Sequence, residues 1–186
     1  EQLVLAIGHS ARDTFSMLYE KQLSMEQKAF AVGFRVEHAQ EHMNEELYGK
    51  TNPGALGAAP YKVTAKTGVG RGVYSFCMCP GGFVVPSSSN NDEIVVNGMS
   101  ASARNSKWSN AAIVVEIRPE DIPQEFVEQA EKLGSKDLAG LLYRNKIEKD
   151  AKLNGNGQAA PAQRVTDFIE NKKSQTLPNS SFTPGI

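Results

Sequence analysis

The string Cys77-Met78-Cys79-Pro80-Gly81-Gly82 puts two thiols on one face of an extended segment and follows them with a turn of little side-chain bulk. A C-x-C pair supplies two zinc ligands, and the sequence has no second cysteine pair to complete a four-ligand site. A disulfide across so short a spacing is strained, so buried apolar thiols are the plain alternative. Pro80-Gly81-Gly82 would let exposed backbone N–H groups approach a planar cofactor or substrate closely. Further along, Asn97-Gly98-Met99-Ser100, Arg104 and Asn110 gather polar groups at a strand end. They read equally well as a hairpin turn around a satisfied asparagine.

Two other groupings imitate catalytic patterns. Gly8-His9-Ser10-Ala11-Arg12 begins like a nucleophile elbow, but the elbow needs glycine at the fifth position and Arg12 stands there. The histidines after it are His38 and His42, a poor fit to the triad order. Ser10 is better read as the N-cap of a helix over 10–22, and the turn itself brings backbone N–H groups near an anion. His38-Ala39-Gln40-Glu41-His42 matches the H-x-x-E-H spacing of zinc proteases. That chemistry needs both histidines on one helix and a third ligand, whereas His38 is expected to end a strand. A hydrolase using Ser10 or a His38/His42 metal site therefore ranks third, and no metal is expected.

These groups need elements to position them. Leu3–Ile7 is a short, continuously apolar run, the pattern of a buried strand. Strand-like runs follow at 30–36, 61–65, 72–77, 82–85, 93–97 and 111–117, with a short helix at 40–48 and an exposed tip at 87–92. Beyond Pro119 the pattern is helical, over 123–133, 136–153 and 163–172, ending in an extended tail from Thr176. The class is α+β, with an antiparallel β-barrel-like part and a small helical part. In a chain of 186 residues, Lys plus Arg number 20 against 21 acids, a formal net charge of −1. That balance argues against a basic nucleic-acid face. No apolar run approaches the roughly 18 residues that span a bilayer. The expected setting is cytoplasmic, with neither nucleic acid nor membrane as partner. The chain opens without Met, almost directly into an apolar run, and reads as a piece of something longer.

Five segments taken together carry a resemblance. They are Gly8-His9-Ser10-Ala11-Arg12-Asp13-Thr14, Phe30-Ala31-Val32-Gly33-Phe34-Arg35-Val36-Glu37-His38, Tyr74-Ser75-Phe76 running into Cys77–Gly82, Asn97-Gly98-Met99-Ser100, and Ala160-Pro161-Ala162-Gln163. In this order the chain resembles the middle part of the bacterial FAD-dependent dehydrogenases, often labelled NAD(FAD)-utilising dehydrogenases, from Leu3 to about Phe168. Ala39 stands where the family usually has proline, and Asn91-Asp92 replaces an acid-glycine turn.

The resemblance implies a split Rossmann-type FAD domain into which a substrate domain is inserted. Residues 1–27 would be a remnant of the FAD domain, 28–118 the β-rich substrate or cap part, 119–173 the helical part, and 174–186 the connection back. Ile7, Gly8 and His9 would then lie beside the FAD. Cys77, Met78, Cys79, Pro80, Gly81, Gly82, Asn97, Gly98, Met99 and Ser100 would face the flavin and substrate, with Arg104 and Asn110 as polar anchors. No catalytic acid or base is assigned, because the flavin carries the hydride chemistry. The glycine-rich G-x-G-x-x-G fingerprint is absent from the chain. The stretch alone is therefore expected to lack FAD and to be inactive. The implied partners are a small-molecule substrate and the remaining FAD-domain segments, with NAD(P)H as candidate reductant. The competing reading is a free-standing ligand- or protein-binding module without redox activity.

Overall fold

Alternating side chains from Phe30 onward make β1 (Phe30–Ala39), the first strand of a computed structural model that describes residues 2–157 and 159–185. β1 pairs antiparallel with β6 (Trp108–Ile117), from Phe30 opposite Ile117 to Ala39 opposite Trp108. The β-branched run Ile113-Val114-Val115 suits β6 to an inner position. β3 (Gly72–Cys79) lies on its other side, and β2 (Thr64–Lys66) forms the far edge, giving the order β1-β6-β3-β2. β4 (Gly82–Pro86) and β5 (Val96–Ser100) make a separate antiparallel pair. The class is α+β with antiparallel sheets, and among the described residues they stay open rather than closing into a barrel.

Helices supply the main apolar core. α3 (Gln124–Lys132) and α4 (Ala139–Asn154) bury Ile122, Phe126, Ala130 and Ala139 against Phe30 and Ile117, the pair that begins the β1–β6 ladder. The Phe126 and Tyr143 rings stand 5.2 Å apart there. Burying a side chain of that size contributes about 2–3 kcal/mol. α2 (Gln40–Tyr48) has the expected span. It starts where Ala39 is still extended and stops where Gly49 turns left-handed at φ 68°, its N–H bonded to the Glu45 carbonyl at 2.8 Å. α1 (Arg12–Glu20) and the short α5 (Val165–Ile169) are narrower than their sequence spans.

Three expectations need correction. Leu3–Ile7 forms no strand: it pairs with nothing among the described residues, and its side chains are exposed. A five-residue apolar run is a strand only where a neighbour pairs with its backbone, and neither edge of the sheet, β1 or β2, does so. Ser10 does not cap α1. Ala11 occupies that position without a side-chain cap, while the Ser10 hydroxyl lies 3.4 Å from the His9 ring nitrogens. β5 starts at Val96 rather than Glu93, because Glu93 and Ile94 are buried in the preceding loop. There the Ile94 N–H donates to the Glu148 carbonyl at 3.1 Å, and the Glu93 carboxylate pairs with Arg12. Among the described residues, the tail from Thr176 is in neither helix nor strand and docks on the sheets: the Ser181 N–H donates to Glu37 Oε1 at 2.9 Å, and its hydroxyl accepts from Val84 N–H at 2.8 Å.

Candidate functional site

The β1–β6–β3 sheet ends in an irregularity. Its register shifts between Phe76 and Cys79, and Cys77 takes a left-handed φ of 45° inside β3. Such a bulge re-aims the residues beyond it. Here it sets Cys79 opposite Asn110, whose side chain is fully buried. Directly opposed residues share a face, so Arg35 (opposite Ala112), Phe76 (opposite Ala112), Asn110 and Cys79 stand together on one side of the sheet.

Arg35 binds this end of the molecule together. Its Nη1 donates to Asn110 Oδ1 at 2.8 Å and to the Cys77 carbonyl at 3.2 Å, and its Nη2 reaches Asn97 Oδ1 at 3.3 Å. β1, β3, β5 and β6 thus meet at one guanidinium. Gly98 closes over the meeting point. A Cβ added there would lie 2.3 Å from Asn110 Oδ1, 2.5 Å from Arg35 Nη1 and 2.7 Å from Cys79 Sγ. Only a residue without a side chain lets β5 approach so closely.

The residues singled out in the sequence therefore divide. Cys77, Cys79, Asn97, Gly98 and Asn110 converge on Arg35. Pro80, Gly81 and Gly82 are buried and turned inward rather than presenting open N–H groups, because neighbouring side chains claim the backbone. Gly81 N–H donates to Gln40 Oε1 at 2.7 Å, Ser100 Oγ to the Pro80 carbonyl at 2.9 Å, and Ser106 Oγ to the Gly82 carbonyl at 2.8 Å. Gly81 is left-handed at φ 54°, and a Cβ on it would meet the Arg104 carbonyl oxygen at 1.9 Å. Arg104 thus contributes packed backbone, with its residue exposed. Met99 is exposed and Met78 half-buried. Ile7, Gly8 and His9 sit at an exposed turn with Gly8 at φ 70°, and no hydrogen bond among the described residues links them to the Arg35 cluster.

Sequence reasoning missed Arg35, Gln40 and Tyr61. Arg35 lies on an ordinary alternating strand, and its partners are 42 to 75 positions away. Gln40 holds the Gly81 turn through a satisfied network with Asn44 and Ala59. Burial lowers the Arg35 pKa from its ordinary value, with Cys79, Cys77 and Tyr61 opposing. Burial raises that of Tyr61, with Arg35 opposing. The His38 ring lies 5.3 Å from that of Tyr61, and burial, then the neighbouring His42, lowers its pKa. His38 belongs to β1 and His42 to α2, so the H-x-x-E-H spacing does not fall on one helix. No group of three His, Cys, Asp or Glu suited to a metal occurs among the described residues.

Two shallow depressions lie elsewhere, about 360 Å³ beside Ala31, Tyr74 and Glu116, and about 490 Å³ beside Tyr19, Leu23 and Asp137. The Arg35 cluster is a surface rather than an enclosed pocket. No helix among the described residues is long and apolar enough to cross a membrane.

The family model described as "FAD-dependent protein, C-terminal domain-like" matches residues 29–186. An uncharacterized protein of Clostridium beijerinckii is 45% identical over 190 residues, which cover 100% of this chain and 34% of that protein. The chain thus spans about a third of the length of the curated relative it matches.

Proposed function

Because the chain belongs to the FAD-dependent protein, C-terminal domain-like family, we propose that it is the substrate- and flavin-facing part of an FAD-dependent oxidoreductase, a bacterial dehydrogenase. The family match over 29–186 carries the reading. The convergence of Cys79, Asn97, Gly98 and Asn110 supports it, because these residues arrive from three strands at one surface.

In this reading residues 1–27 are a remnant of the FAD domain, 28–173 form the insert, and 174–186 connect back to the FAD domain. The chain's residues suit contact with a flavin nucleotide. Gly8 has nothing within 4 Å of its missing side chain, so the turn at Ile7, Gly8 and His9 admits a phosphate or ribose close to its backbone. Phe76, Cys77 and Met99 are exposed at the sheet end and offer a surface for a flat ring. When bound, FAD supplies hydride transfer, with NAD(P)H as candidate reductant. The chain's residues orient a small-molecule substrate. Two free thiols agree with a reducing, cytoplasmic setting.

Visible absorbance tests the reading. The full-length protein is expected to purify yellow and to bleach on reduction, while residues 1–186 alone are colourless. Stoichiometric flavin on residues 1–186 alone would overturn the division between insert and FAD domain. A full-length protein that takes up no flavin would overturn the oxidoreductase.

A further inference from the structure

Among the described residues, buried side-chain nitrogens and oxygens without a hydrogen-bond partner occur on Arg12, Arg144, Asn145, His38 and Ser109, and at the sheet end on Arg35 Nε, Asn110 Nδ2 and the Tyr61 hydroxyl. A buried donor left unpaired costs roughly 1–3 kcal/mol, so its persistence calls for an acceptor. Arg35 is in addition a cation in no salt bridge among the described residues. Its three hydrogen bonds go to neutral oxygens.

The edges of the guanidinium are unequally used. Nη1 is committed to Asn110 and Cys77. The N–H groups of Nε and Nη2 point the same way and form a fork matched to two carboxylate oxygens. That fork carries one bond, 3.3 Å long, to Asn97 Oδ1, which also accepts from the Gly98 N–H at 2.8 Å, and the Asn97 residue is exposed. Beside the fork, on the same face, lie Ala112 and the exposed ring of Phe76.

We propose that the Nε–Nη2 edge of Arg35 binds the carboxylate of an organic acid whose apolar body lies over Ala112 and Phe76, Asn97 giving up its place to it. This rests on the reading that the sheet end faces substrate. The apolar floor selects a carboxylate on an organic body over a free phosphate, which shares the oxyanion chemistry.

Calorimetric titration of the full-length protein with sodium benzoate, and separately with inorganic phosphate, tests it. One benzoate should bind per chain, at least about tenfold more tightly than phosphate. Asn110→Asp keeps an acceptor for Arg35 but gives the guanidinium an internal counter-ion, and should weaken benzoate at least about tenfold. Asn97→Ala alters an exposed side chain and vacates the fork, and should tighten benzoate by roughly twofold or more. Absent benzoate binding, equal affinity in wild type and both variants, or tighter binding of phosphate would each overturn the proposal. A yellow, reducible protein that ignores benzoate would sink this site and leave the oxidoreductase standing. A colourless protein with the expected benzoate pattern would do the reverse.

Discussion

Arg12 and Arg35 are both partly buried, yet the chain answers them differently. Arg12, at the start of α1, pairs with Glu93 from the loop before β5 and with Glu148 from α4, and both carboxylates are largely buried. Its charge is matched within the chain, so it acts as a structural tie across three segments. Arg35 meets only carbonyl and amide oxygens. The groups whose charge reaches it are Cys79, Cys77 and Tyr61, with no carboxylate among them. A cation compensated internally holds a fold. One left uncompensated where four strands converge is the group that the proposed carboxylate would answer.

The largest effect should come from breaking the first arginine. Arg12→Ala strands two buried carboxylates and is expected to cost about 3 kcal/mol or more. For a chain of this size that is roughly a 6–12 °C fall in Tm by calorimetry. Gly98→Ala drives a methyl group into Asn110, Arg35 and Cys79 and should cost about 2 kcal/mol in urea unfolding. Arg35→Gln gives up bonds to neutral acceptors only and should cost about 1 kcal/mol. A loss equal to that of Arg12→Ala would erase the contrast between the two arginines.

The smallest effect is a pH dependence. Burial and His42 hold the His38 pKa below its ordinary value, so the unfolded chain takes up that proton at higher pH than the folded one. Stability is then fully present above the ordinary imidazole range and declines as pH falls toward the lowered value. His38→Phe should flatten that segment of a stability–pH curve, and an unaltered slope would assign it to another group.

Elements whose signals are local were legible in the sequence. α2 matched residue for residue, because an extended Ala39 and a left-handed Gly49 bound it on both sides. The succession of strands along the chain was visible in their alternation and turns, but not their order β1-β6-β3-β2 in the sheet. What escaped depends on distant partners. Val96 begins β5 because Glu93 is held by Arg12 and Ile94 by the backbone of α4. Nothing within a few residues of Glu93 reports this. The Cys77–Gly82 string was rightly marked as unusual, but its glycines serve close backbone packing rather than an open turn. Arg35 stands in a segment that carries the resemblance, yet nothing local assigns it a role, and its importance arises only when four strands meet at it.

The unpaired run Leu3–Ile7 has a consequence for handling. Its backbone N–H and C=O groups are spoken for by no strand among the described residues, and its apolar side chains face outward. Such a run is a template on which an identical run from another molecule can align. For residues 1–186 alone, self-association should therefore grow with concentration, and Leu5→Lys should reduce it.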